Sequence, residues 1–188
     1  IDHGRFNEAY CSQASTSPLY ALIASNDVAA AMMDGPGGQA LTQECIDEAV
    51  ACRLAVARAR QEFLARKDWF FAPWNPEEVR NPKTGRSVPF HKAPEELLTT
   101  DPNCWILHPG DDWHGFEGLP DGWCMLDPIK FGIVCPGMKT DGQLDKAGIP
   151  ADILTAYLGR HGIVPSRTTN HMVLLMFSVG ITKGKWGP

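Results

Sequence analysis

Seven prolines fall at positions 73, 76, 82, 89, 94, 102 and 109 of this 188-residue chain. Proline lacks an N–H and fixes φ, so it breaks helix interiors and is excluded from central strands. Residues 69–102 therefore predict an ordered but irregular connection, with a turn at Asn81-Pro82-Lys83-Thr84-Gly85. Long regular elements must lie before this stretch or after it. The aromatic cluster Trp69, Phe70, Phe71 and Trp74 at its start is costly to leave in water, so the connection is expected to pack against another element.

Ahead of the prolines the pattern is helical. Ser17-Pro18 reads as a helix start, with Ser17 at the N-cap and Pro18 in the first turn. Residues 19–33 are almost free of charge and apolar on every face, which predicts a buried helix ended by Gly35-Pro36-Gly37-Gly38. A second helix opens around Thr42. Leu41, Cys45, Ala49, Cys52, Val56, Ala59 and Phe63 recur every three or four residues, so this helix is amphipathic and half exposed. Beyond the prolines the chain reads as α+β. Strands are expected at 104–108, 126–135, 163–167 and 172–179, with a short helix at 150–158 closed by Gly159 or Gly162. The run 172–179 is apolar on both faces, the pattern of a central strand.

Composition removes several function classes. With 44% hydrophobic and 21% charged residues the chain is not disordered as a whole. A formal charge of −5 without any Lys/Arg run argues against a nucleic-acid surface. No stretch approaches the roughly 18 apolar residues of a membrane-spanning helix. Cysteines 11, 45, 52, 104, 124 and 135 form no Cys-x-x-Cys pair and are expected to be free thiols in a reducing cytoplasm. The chain begins at Ile1 and stops at Trp186-Gly187-Pro188, and it reads as an internal piece of a longer polypeptide.

Three motifs carry possible chemistry. Ser15-Thr16-Ser17 places three hydroxyls ahead of a helix N-terminus, whose free N–H groups and dipole attract anions. Either Ser17 simply caps the helix, or a phosphate sits there. Around His108-Pro-Gly-Asp-Asp-Trp113-His114-Gly115-Phe116, the Cys104, Cys124 and Cys135 thiols raise the question of zinc. Their spacings match no structural zinc pattern, so no metal site is expected and a turn with a satisfied His is preferred. Lys130, after Asp127-Pro128-Ile129, is expected to pair with a carboxylate or reach solvent. Roles for Trp113, His114 and Lys130 beyond packing stay open.

A longer series of motifs runs through nearly the whole chain. It includes Ser15-Thr-Ser-Pro-Leu-Tyr20, Ala24-Ser-Asn-Asp-Val28, Met32-Met-Asp-Gly35, Leu41-Thr-Gln-Glu44, Trp69-Phe-Phe71 and Pro73-Trp-Asn75. It continues with Trp113-His-Gly-Phe116, Leu126-Asp-Pro-Ile-Lys130, Pro136-Gly-Met138, Gly159-Arg-His-Gly-Ile-Val164 and Thr182-Lys-Gly-Lys-Trp-Gly187. In number and order these resemble the bacterial ornithine/lysine/arginine decarboxylase family, pyridoxal-phosphate enzymes of the aspartate-aminotransferase fold. The 159–164 segment, the 182–187 ending and the Asn81-Pro-Lys-Thr-Gly insertion resemble its inducible, biodegradative arginine branch.

The resemblance implies an α/β fold, a fragment of a fold-type I pyridoxal-phosphate enzyme. Residues 1–67 would close the large cofactor-binding domain with its C-terminal helical part. Residues 68–188 would form a linker and the start of a small C-terminal α+β domain with a mostly antiparallel sheet. No catalytic residue of the family falls in this chain. Its cofactor Lys lies upstream, and a late acidic residue that reaches the substrate lies beyond Pro188. Phe90-His91-Lys92 is similar to the family's Ser-x-His-Lys element, but Pro89 and Ala93-Pro94 flank it wrongly, so it is not the cofactor Lys.

By the same resemblance Ser17, then Thr16 and Ser15, would contact the phosphate of pyridoxal 5'-phosphate held by a neighbouring subunit. That implies a homodimer with composite active sites, assembling further to a decamer. The implied reaction is arginine to agmatine plus CO2 in the cytoplasm, with lysine or ornithine as alternative substrates; the isolated segment would be inactive. A catalytically silent homologue acting as a binding or regulatory partner is the alternative from another class. Decarboxylation consumes a proton, which connects the family to acid resistance. Protonating all six His would carry the formal charge from −5 to about +1.

Overall fold

The computed structural model describes residues 2–14, 17, 19–137 and 148–180. Ser15, Thr16, Pro18, Met138 and the 182–187 motif lie outside the described residues. The chain divides into two compact units, Ile1–Ala40 and Leu41–Pro188.

The first unit is helical. α1 (His3–Gln13), which no sequence pattern announces, is capped by Asp2, whose carboxylate accepts from Arg5 N at 3.1 Å. α2 spans Tyr20–Met33, and its N-cap is Leu19 with no side-chain cap. Ser17 is thus not the N-cap, because the helix starts three residues after it. α2 is also not buried: none of its residues is, and Leu22 and Ile23 are 62% and 57% exposed. An apolar helix signals burial only where the covering partner is part of the same chain.

α2 ends at Met33, where Gly35-Pro36-Gly37-Gly38 predicts a stop, but the chain does not become a loop there. These residues form the first turn of α3 (Gly35–Ala65), where a proline costs nothing because the N–H it lacks has no intrahelical acceptor. Asp34, the C-cap of α2, separates the two helices. Gly38 is required there: a Cβ on it would run into the backbone carbonyl of Met33. Gly38→Ala should force the junction apart and cost about 1–3 kcal/mol. A drop in the thermal midpoint would show it, and an unchanged midpoint would contradict the steric argument.

The second unit is organised by α3. Its buried residues, Cys45, Glu48, Ala49, Val50, Arg53, Leu54 and Ala57, cover a wider arc than the stripe read from sequence. Cys52, Val56 and Phe63 from that stripe are only half buried. The arc is wide because two cores meet on this helix. Val50, Leu54 and Ala57 pack with Val79, Phe90, Leu98, Trp105, Trp113 and Leu126, which lie in the proline-rich region and the segment just after it. Ala49 packs with Phe131, Ile133, Val173, Phe177, Ala151 and Leu154 of the sheet and α5.

The proline-rich connection does pack onto something, and it holds more regular structure than expected. β2 (Glu78–Arg80) and β3 (Ser87–Pro89) form an antiparallel hairpin with Val79 facing Val88. Asn81 Oδ1 accepts from Lys83 N and Thr84 N, and Gly85 takes a φ of +66°, which closes the loop. In the aromatic cluster Phe70 stacks on Phe63 at 4.5 Å, but Trp69 stays 55% exposed.

The main sheet is antiparallel throughout, in the order β1-β4-β6-β5: β1 (Ala72–Pro73), β4 (Lys130–Val134), β6 (Met172–Met176) and β5 (Arg167–Thr168). β6 is central, as its two-sided apolar run predicts. It stops at Met176 rather than reaching 179, and the other expected strands are also shorter, for local reasons. At 104–108 there is a 3-10 turn, Pro102–Trp105, capped by Asp101, and only Ile106 bridges to Met125. β4 waits until Lys130 because Asp127 Oδ1 accepts from Ile129 N and makes a turn around Pro128. Pro165 has no donor for a ladder, so β5 begins only at Arg167. α5 (Ala151–Arg160) ends before Gly162, whose φ is +79°.

Candidate functional site

The hydroxyl motif leads into the N-terminus of α2. Ser17 is exposed, while Ser15 and Thr16 lie outside the described residues. The first turn of α2 carries neither a capping side chain nor an acidic residue. No carboxylate of that turn offsets the positive end of the helix dipole.

The turn after Leu107 is a packing device. Trp113 is buried and meets Trp74 edge to face at 5.2 Å, and its Nε1 donates to Asp111 Oδ2 at 3.2 Å. The His114 side chain is enclosed. Its Nδ1 accepts from Phe116 N at 2.9 Å, while Nε2 stands 4.0 Å from Asp111 Oδ2 without a hydrogen bond. His108 pairs with Asp121 at 2.6 Å on the surface. Among the described residues no three His, Cys, Asp or Glu side chains come together as metal ligands. Lys130 both pairs with Asp127, at 3.5 Å, and reaches solvent.

All six cysteines are free thiols. Burial pushes the Cys52 thiol up to about 11, with Arg53 pulling against it and Glu48 adding to it. Burial, assisted by Asp101, likewise raises Cys104 to about 11. Neither is a thiolate at neutral pH, so neither is poised as a nucleophile. His91 and Lys92 sit in a 3-10 turn, Phe90–Lys92. Burial, then the Lys92 and Arg58 charges, lower the pKa of His91.

Arg53 is the residue that sequence reasoning passed over. Its side chain is fully buried on α3. Nη1 donates to Trp74 O at 3.0 Å, and Nη2 donates to Pro128 O at 3.1 Å and Lys130 O at 3.0 Å. The guanidinium lies 4.8 Å from the Phe131 ring centre and 5.2 Å from that of Trp105. Burial pulls its pKa down to about 9, so it stays charged at neutral pH. One side chain thereby ties α3 to the start of the irregular connection and to the turn that launches β4. Its only trace in the sequence is an Arg at helical spacing among Ala49, Val50, Leu54 and Ala57.

Comparison with known proteins places these features in a larger frame. A family profile described as Orn/Lys/Arg decarboxylase, major domain, matches residues 1–185. The biodegradative arginine decarboxylase of Escherichia coli is 57% identical over 187 residues, covering 100% of this chain and 25% of that protein. The lysine decarboxylase LdcA of Pseudomonas aeruginosa is 44% identical over 186 residues, covering 99% of this chain and 23% of that protein. The solved structure of Pseudomonas aeruginosa lysine decarboxylase A superposes with a TM-score of 0.73 at 42% identity, over 98% of this chain and 23% of that one. The Escherichia coli constitutive lysine decarboxylase superposes with a TM-score of 0.68 at 34% identity, over 97% of this chain and 22% of that one. The chain thus spans about a quarter of the length of the curated relatives it matches.

Proposed function

Because the chain belongs to the Orn/Lys/Arg decarboxylase family, we propose that the whole polypeptide decarboxylates arginine to agmatine and CO2 with pyridoxal 5'-phosphate as cofactor. The observation that carries the substrate is the order of identities. It is 57% to a biodegradative arginine decarboxylase, against 44% and 37% to lysine decarboxylases and 33% to an ornithine decarboxylase. Bound pyridoxal phosphate supplies the electron sink for the pair left behind when CO2 departs.

The part of this chain is to hold the cofactor's phosphate. The start of α2 suits that group, since its N-cap Leu19 has no capping side chain and its first turn has no acidic residue. Ser17 adds a hydroxyl, with Thr16 and then Ser15 as further donors. In this proposal the phosphate belongs to the neighbouring subunit of a homodimer, and five dimers form a decamer. Residues 1–67 finish the cofactor domain and 68–188 begin the smaller one. Consumption of a proton per turnover suits a cytoplasmic enzyme of acid resistance, and six free thiols suit a reducing compartment.

The test is turnover by the full-length enzyme on arginine, lysine and ornithine. A pocket built to hydrogen-bond a guanidinium should prefer arginine by at least about a hundredfold in kcat/KM. Preference for lysine or ornithine would overturn the substrate, and no CO2 from any of the three would favour a silent homologue.

A further inference from the structure

α3 and α5 cover only one face of the main sheet. The opposite face carries a cavity of about 400 Å3, within the size range of small-molecule sites. Register sets its floor. Gly132 on β4 lies opposite Leu174 on β6, and Leu174 lies opposite Arg167 on β5. Of these three only Gly132 adds no side chain, and Met172 and Trp74 close over it. A Cβ at Gly132 would stand 3.1 Å from Met172 Sδ and 3.3 Å from Trp74 Cβ, so even a methyl group would press on the cavity wall.

The lining has a definite chemistry. Trp74, Met125, Met172 and Leu174 supply apolar and polarisable wall. At the polar edge, Asp127 and Lys130 neutralise each other at 3.5 Å. Arg167 also lines the cavity and has no acidic partner within 4.0 Å among the described residues. Among the described residues, one exposed guanidinium without an acidic partner thus stands at the rim of an apolar chamber. A guanidinium fork matches a carboxylate, and the wall matches an apolar body.

We propose that this cavity is a binding site for a small amphipathic carboxylate, whose anionic group pairs with Arg167 and whose apolar body lies against Trp74, Met172 and Leu174. The site is independent of the phosphate-holding role proposed for Ser17. No step of the decarboxylation is asked of it.

Methionine footprinting on the full-length protein tests it, with 3-phenylpropanoate as probe and the uncharged 3-phenylpropanamide as control. Dilute peroxide oxidises accessible methionines, and peptide mass spectrometry reads each one. The acid should slow oxidation of Met125 and Met172 while leaving the rate at Met32, which does not line the cavity, unchanged. Half-protection should need a concentration roughly tenfold or more below that of the amide, the discrimination expected of one charge-assisted pair. Arg167→Gln should bring the acid to the level of the amide. Gly132→Val should remove protection by both. Equal protection by acid and amide, or none by either, would overturn the proposal. So would slow oxidation of Met125 and Met172 with no probe present, since another part of the polypeptide would then cover the cavity.

Discussion

Arg53→Met is expected to destabilise the second unit by about 3–5 kcal/mol, since three carbonyls lose a donor at about 1–3 kcal/mol each and water recovers part of that. Methionine keeps an apolar stem of similar length between the Phe131 and Trp105 rings, so the loss is not mainly one of volume. The loss lies in the acceptors: the part-buried carbonyls of Trp74, Pro128 and Lys130 each lose a donor. Replacement by an apolar residue is neutral only when the partners can be replaced as well, and backbone carbonyls cannot. Arg53→Lys keeps the charge but cannot reproduce a fork that serves three acceptors, so it should recover only part of the loss. Hydrogen exchange at the β4 amides is the direct reading, with acceleration of roughly a hundredfold or more for the Met variant. Unchanged exchange would show that the three carbonyls find other donors and that the clamp is incidental.

The same residue shows how far this fold is legible in its sequence. Periodicity locates α3 and composition locates β6, because both patterns are local. The proline density announces a packed, irregular connection, and that is what covers one side of α3. Arg53 is invisible because its acceptors lie 21, 75 and 77 residues away in the chain. Nothing nearby in sequence marks it as buried, and a charged residue among apolar neighbours is ordinarily taken for a helix edge. The open-sheet cavity is hidden for a related reason: Gly132, Leu174 and Arg167 become neighbours only once the register of three strands is set.

The expectation for α2 fails for a different reason. Its apolar sequence predicts burial, yet in the second half of α2 Val28, Met32 and Met33 are open as well. A helix can be specified for burial against residues that do not belong to these 188. The hydroxyl motif at its head belongs to the same class, since Ser17 is exposed and its proposed ligand is held by another subunit.

Ser17→Ala in the full-length enzyme should therefore weaken cofactor binding roughly tenfold to a hundredfold, the worth of one hydrogen bond to a charged phosphate. Ser17→Thr, which keeps a hydroxyl, should retain most of the affinity, whereas a purely structural role at the head of α2 would not discriminate in this way. The subunit origin of the contact can be separated from its existence. A subunit with Ser17→Ala keeps its cofactor Lys, and a subunit lacking that Lys keeps Ser17. At limiting cofactor each homodimer is impaired, the first by weak phosphate binding and the second by loss of its Lys. In a mixed dimer, one site combines an intact Lys from the first subunit with an intact Ser17 from the second. If Ser17 serves the neighbour, mixing should restore one full-affinity site per mixed dimer. If it serves its own subunit, every site keeps at least one defect and mixing restores nothing. Cofactor affinity unchanged by Ser17→Ala would remove the phosphate role altogether, leaving the start of α2 without an assigned ligand.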